Sequence, residues 1–210
     1  MYEQKILKQF DKQIVIDSQS IQNDNKFNYS QKAVLNTEIK RLCDKNIIRR
    51  VGRGLYVRGK DTEWGKIFPT EQEITRSFYC GINGYISDVS YLNKIGITTW
   101  VPSVTYITTN KYRYKLYELK YTSIKKPKTT ITEDNMQYLQ LLDGIEVMFD
   151  NHIDAIDPAT IFIKEIICNS LDGLKLVLYA KKYYTKKVLS YVLDLEEKLY
   201  DDTTFRQTKF

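Results

Sequence analysis

The sequence predicts an α/β chain of the α+β kind in two parts. A basic module of short helices ends in a β-hairpin, and a larger domain follows in which helices flank a small mixed sheet. Three observations predict this. Residues 1–60 carry 13 Lys+Arg against 6 Asp+Glu, a net +7, while residues 61–210 carry 19 against 20, a net −1. The first sixty residues pass through helical, extended and again helical apolar spacing before a Gly-Arg-Gly turn. Beyond them, a run rich in β-branched and aromatic residues stands between helical stretches. The expected boundaries are a module at 1–60, a linker at 61–70, a second domain at 71–200 and a tail at 201–210.

Composition excludes several classes. Hydrophobic residues make up 42% of the 210, enough for a buried core and too many for global disorder. No apolar stretch approaches the roughly 20 residues of a membrane-spanning helix. The opening "MYEQKILKQFDKQ" lacks the basic start, apolar middle and cleavage site of a signal peptide. Cys43, Cys80 and Cys168 are far apart, with no Cys-x-x-Cys pair. They read as reduced cysteines in a cytoplasmic protein rather than as a disulfide framework or a zinc site.

In "YEQKILKQFDKQ", Ile6, Leu7 and Phe10 fall at helical spacing. Ile14 to Ile16 form a short β-prone run, after which Asp17 or Ser18 caps a second short helix. "QNDNKFNY" reads as an Asn-rich loop. The clearest helix is "SQKAVLNTEIKRLCDKN", with Ser30 as its N-cap. Its apolar face is Leu35, Ile39, Leu42 and Cys43. Asn46 stops it, because Asn tolerates the left-handed conformation of a helix end. "IIRRVGRGLYVRG" then supplies two β-compatible runs around Gly52 and Gly54.

Helix, short strand, short helix, long helix and hairpin is the order of a winged helix-turn-helix. In that arrangement the long helix lies in a DNA major groove and the hairpin reaches the backbone or the minor groove. The candidate DNA-binding residues on the helix are Tyr29, Ser30, Gln31, Lys32, Asn36, Thr37, Lys40 and Arg41. On the hairpin they are Arg49, Arg50, Arg53 and Arg58. Asn36 suits adenine and Arg41 guanine by donor and acceptor geometry. Arg53 sits at the turn tip, placed for a phosphate. Arg49 and Arg50 are strand neighbours and cannot both face one ligand; the sequence leaves open which one does. The alternative for each is a solvated surface.

The stretch "EIKRLCDKNIIRRVGRGLYVRG" resembles the end of the winged-helix domain in AbiEi-type antitoxins of bacterial type IV toxin–antitoxin systems. The matching residues are Ile39, Arg41, Leu42, Arg49, Arg50, Gly54, Leu55 and Tyr56. "SYLNKIGITTWVPSVTYITTN" resembles a second stretch of that family. It matches at Leu92, Asn93, Gly96 to Thr99, Pro102 and Tyr106 to Thr108, with Tyr91 in place of a small residue and Ile97 in place of Leu. The resemblance implies an antitoxin that counteracts a nucleotidyltransferase-like toxin, without necessarily forming a stable complex with it. It also implies repression of the protein's own operon by binding double-stranded promoter DNA, and places antitoxin activity in the C-terminal domain. A winged-helix regulator with a C-terminal partner- or ligand-binding domain, and no toxin, is the alternative.

In the second domain, Thr70 opens Thr-Glu-Gln-Glu, a capping box with Glu73, and its helix stops at Gly81. "DVSYLNKIG" is a short helix capped by Ser87 or Asp88 and stopped at Gly96. "SVTYITTNKYRYKLYELKYTSI" reads as two or three strands with a turn at Asn110-Lys111. Its Tyr112, Tyr114, Tyr117 and Tyr121 are either strand residues with packed rings or a stacking platform for single-stranded nucleic acid. Helices are expected at about 133–149, 158–170, 172–183 and 185–200. Pro158 suits a first helical turn, with Asp157 as its cap.

Candidate chemistry is sparse. His152 is the single histidine, and although paired carboxylates such as Asp154 and Asp157 could bind a metal, Asp157 before Pro158 reads more readily as a helix cap. Gly84-Tyr85-Ile86-Ser87-Asp88 lacks the second aspartate that a two-metal nucleotidyltransferase needs. No phosphate-binding Gly-x-x-x-x-Gly-Lys loop is present. The expectation is therefore a protein that is no enzyme and holds neither metal nor cofactor.

Overall fold

The computed structural model describes residues 2–24, 29–117 and 119–207. The chain is a mixed α/β protein of helices and small sheets, and it divides into two compact units. The first is Met1–Gly81 with Lys111–Thr122, and the second is Ile82–Asn110 with Ser123–Phe210. This division does not follow the expected linker. The helix after residue 70 and a later stretch of chain both pack with the first unit.

In the first unit the elements run α1 (Tyr2–Gln9), β1 (Val15–Asp17), α2 (Ser18–Asp24), α3 (Tyr29–Asp44), β2 (Ile48–Gly52) and β3 (Leu55–Arg58). α2 runs to Asp24 and so takes in the first residues of the expected polar loop; residues 25–28 lie outside the described residues. Asp17 Oδ1 accepts from the Gln19 amide, which fixes the turn into α2. The strands form one antiparallel sheet in the order β1-β3-β2, with Ile16 opposite Tyr56 and Arg50 opposite Tyr56 on its other side. Ile6, Ile16, Ile21, Leu35, Ile39, Leu42 and Ile48 form one buried cluster beneath α3. Asn46 ends α3 with φ 54°, and the amide of Ile47 reaches back to the Leu42 carbonyl at 2.9 Å. That is the left-handed stop its sequence predicts.

The β2–β3 turn is Arg53-Gly54, with Gly54 at φ 74°. Gly52 does not share that role. It ends β2, where an added Cβ would stand 3.0 Å from Leu55 Cδ1 and 3.1 Å from the Lys115 carbonyl oxygen. Close approach therefore favours glycine there, since any Cβ would press on Leu55 and the Lys115 carbonyl. The segment expected as a linker forms a further hairpin, β4 (Lys60–Thr62) and β5 (Gly65–Ile67), in which Asp61 faces Lys66 in register and pairs with it at 2.9 Å. α4 (Glu71–Tyr79) follows with the predicted capping box. Thr70 accepts from the Glu73 amide, and the Glu73 carboxylate accepts from the Thr70 amide at 2.8 Å.

The second unit contains β6 (Gly84–Ile86), α5 (Asp88–Ile95), β7 (Thr105–Thr109), β8 (Thr122–Lys125), α6 (Met136–Met148), α7 (Pro158–Cys168), α8 (Gly173–Tyr183) and α9 (Lys186–Gln207). The strands lie in the order β6-β7-β8. Gly96 closes α5 at φ 83°, and Asp157 caps α7 by accepting from the Thr160 amide, with Pro158 in the first turn. Leu92, Leu142, Ile145, Phe162, Val192 and Leu195 are all 0 to 1% exposed and anchor the core. The run expected to hold two or three strands supplies two, β7 and β8, with the turn at Asn110-Lys111 where it was expected. One expectation differs: α9 continues to Gln207 where a frayed tail was expected from 201.

Candidate nucleic-acid interface

α3 divides into two faces. Leu35, Ile39 and Leu42 are at most 3% exposed, whereas Asn36, Thr37, Lys40 and Arg41 are exposed. The apolar spacing produces this directly, since residues at i, i+4 and i+7 point one way. Thr37 donates its hydroxyl to the Ala33 carbonyl at 3.0 Å, and Arg41 lies 3.8 Å from Glu38 one turn back. Gln31 and Lys32 are half-buried. α3 begins at Tyr29, so Ser30 lies inside the helix and not at the expected N-cap position; the side chains of Tyr29 and Ser30 lie outside the described residues.

Arg49, Arg50, Arg53 and Arg58 are all exposed on the hairpin. Arg50 stands opposite Tyr56 and two residues from buried Ile48, so it shares the sheet face that packs on α3. Its Nε donates to the Gly52 carbonyl at 3.2 Å, and its guanidinium lies 5.7 Å from the Tyr117 ring centre. Arg49 stands opposite Val57 on the other face, with its guanidinium 4.7 Å from the Phe68 ring centre. The two arginines therefore diverge, and Arg50 is the one on the α3 side. Its field is felt there. Burial lifts the Cys43 thiol above its ordinary range and Asp44 adds to the shift, while Arg50 pulls it back. Burial likewise raises the Tyr56 phenol, again opposed by Arg50.

Sequence reasoning missed the partner of this surface. Leu116 and Tyr117 join the free edge of β2. Gly52 forms an antiparallel bridge with Leu116, and the Tyr117 amide donates to the Val51 carbonyl at 2.8 Å. A cavity of about 240 Å³ lies there, lined by Arg49, Arg50, Glu71, Ile74, Leu116 and Tyr117. The only signal in the sequence was composition, four tyrosines among Lys111, Arg113, Lys115 and Lys120. That signal does not say which sheet edge the segment joins.

Elsewhere, Asp154 is a structural clamp. It accepts from the Thr99 amide at 2.7 Å and from the hydroxyls of Thr98 and Thr99 at 2.9 and 3.0 Å. These bonds hold its carboxyl below the ordinary range. Among the described residues there is no group of three or more His, Cys, Asp or Glu placed to hold a metal ion, and no helix is long and apolar enough to cross a membrane.

No curated protein matches the chain significantly. A family model described as a family of unknown function, DUF6088, matches residues 4–154, well over half of the chain. The chain belongs to this family, DUF6088.

Proposed function

We propose that the first unit is a winged helix-turn-helix that binds double-stranded DNA, with α3 as the major-groove helix and the β2–β3 hairpin as the wing. One observation carries this reading. The polar face of α3, with Asn36, Thr37, Lys40 and Arg41, is exposed beside a hairpin bearing four exposed arginines, while the opposite face of α3 is buried. A free helix face of this composition next to a basic hairpin matches what groove and phosphate contacts require. Arg50, on the α3 side, is the better candidate of the two neighbouring arginines. Within this reading the protein is the antitoxin of a type IV system. It represses its own operon and counteracts a nucleotidyltransferase-like toxin, and no catalysis by this chain is required. That part is supported by the resemblance of residues 39–56 and 92–108 to AbiEi-type antitoxins.

A gel-shift against the DNA upstream of its own gene tests the DNA-binding half. The expected result is a shift preferring that DNA over random duplex and weakening steeply with salt. Equal shifts on both would remove the specific repressor. Co-expression with the adjacent gene tests the other half. Rescue from a toxic neighbour supports the antitoxin, whereas a neighbour harmless on its own leaves a regulator without a toxin. A cavity of about 120 Å³ in the second unit, lined by Ser87, Asp88, Lys125, Lys128, Asp143 and Glu146, favours a ligand-responsive form of that second reading.

A further inference from the structure

The segment Lys111–Tyr121 carries Lys111, Arg113, Lys115 and Lys120 against the single acid Glu118, a net +3. It is pinned at both ends and in the middle. Lys111 Nζ donates to the Phe78 carbonyl at 3.0 Å. Tyr79 donates its hydroxyl to the Tyr114 carbonyl at 2.5 Å and accepts from the Leu116 amide at 3.3 Å. The Glu71 carboxylate accepts from the amides of Lys120 and Tyr121 at 3.1 and 2.8 Å. Leu116, 7% exposed, is its apolar plug.

None of this anchoring uses the side chains of Arg113, Lys115, Tyr117 or Lys120, and all four are exposed. The bridge to Gly52 sets Tyr117 beside the strand that bears Arg49 and Arg50, and Lys120 lines the cavity there with both arginines. Gathering like charges on one surface opposes folding by self-repulsion, a cost that a bound polyanion offsets. Tyr117 also places its ring by the Arg50 guanidinium, an arrangement that restrains the arginine without neutralising it.

We infer that Lys111–Tyr121 is a third DNA-contacting element, which grips the phosphate backbone of the duplex through Arg113, Lys115 and Lys120 next to the β2–β3 hairpin. The inference rests on the reading of the first unit as a duplex-DNA binder. Phosphate contacts fix position and add affinity without reading sequence. Removing them therefore weakens binding to all duplexes alike.

The test compares the full chain with the triple variant R113A/K115A/K120A, and with a control, K164A/K175A/K181A, that removes three exposed lysines of the second unit. Affinity for duplex DNA is measured across a salt series. Each lost phosphate contact lowers the slope of log K against log salt by about 0.9. The expected result is a shallower slope and weaker binding for the first variant on specific and random duplexes alike, with thermal stability no lower than wild type and the control close to wild type in binding. If the wild type binds and the first variant keeps its slope and affinity, the third contact is refuted while the DNA-binding reading stands. An equal loss in the control reduces the effect to net charge and also refutes it. No wild-type binding at low salt overturns the DNA-binding reading itself, and this inference with it.

Discussion

Replacing Gly144 with alanine tests how closely α5 and α6 approach in the second unit. In an exposed helix interior this substitution stabilises by about 1 kcal/mol, because glycine is the costlier helix former. Here a Cβ would stand 2.7 and 2.8 Å from Cδ1 and Cε1 of Tyr91. Carbon atoms rest at roughly 3.5 to 4.0 Å, so a shift approaching an ångström is needed. Tyr91 has little room to give: it is 3% exposed, and its hydroxyl donates to Glu165 Oε2 at 3.4 Å. Overpacking of this kind costs about 1–3 kcal/mol. Set against the helical gain, the net is a destabilisation of roughly 1 kcal/mol, a fall in Tm of about 2–4 °C for a protein of this size. Calorimetry of wild type, G144A, Y91L and the double variant measures it. In the Y91L background the ring is gone, so alanine at 144 should raise Tm, giving a coupling energy of the sign expected for a relieved clash. A higher Tm for G144A in the wild-type background would refute the reasoning, since it would mean that the helices do not approach this closely.

Three further predictions concern binding and pH. Arg53→Ala, at the hairpin tip, should weaken DNA binding on every sequence alike, whereas Asn36→Ala should change which sequences bind, by about 1–3 kcal/mol at the base pair it reads; competition assays with variant duplexes separate the two patterns. The Tyr85 and Tyr184 hydroxyls donate to Asp143 at 2.8 and 2.6 Å, and burial first, then the facing carboxylate, pushes both phenols above their ordinary value of 10. Folding then retains protons that the unfolded chain releases, so stability is full below about pH 10 and falls as pH rises beyond it. Thermal melts across pH 9–11 should show this, and a flat alkaline limb would count against it. Asp154, Asp157 and Glu73 have the opposite sign, because hydrogen bonds hold their carboxyls low. Their stabilisation is present above the ordinary carboxyl range and is lost as pH falls through the lowered values. Asp154→Asn should flatten that acid limb, and an unaltered limb would show that Asp154 does not contribute to it.

Much of the local structure was legible because its causes lie within a turn or two of chain. The α3 face follows from the spacing of Leu35, Ile39 and Leu42. Its end follows from the tolerance of Asn46 for positive φ, and the start of α4 from the reciprocal bonds of Thr70 and Glu73. Residues 60–67 were less legible. Their hairpin rests on one cross-strand ion pair and Gly65 at φ 109°, in a stretch whose composition is that of a loop. The continuation of α9 to Gln207 was hidden for a related reason, since "DDTTF" has weak helix formers that an established helix can still carry forward.

By itself, then, the sequence determined where the chain bends into helices and hairpins, which helix face is apolar, and that positive charge gathers in the first sixty residues. All of these are properties of near neighbours or of composition. Only the tertiary structure decided that Lys111–Thr122 packs with the first unit, and that Arg50 lies on the α3 side while Arg49 faces away. The physical reason is the same in both cases. β-Propensity makes a segment willing to pair but does not choose the edge, and strand alternation separates neighbours without saying which side is buried. The contacts that choose join residues far apart in sequence, Gly52 to Leu116 and Glu71 to Tyr121, and no local pattern encodes them.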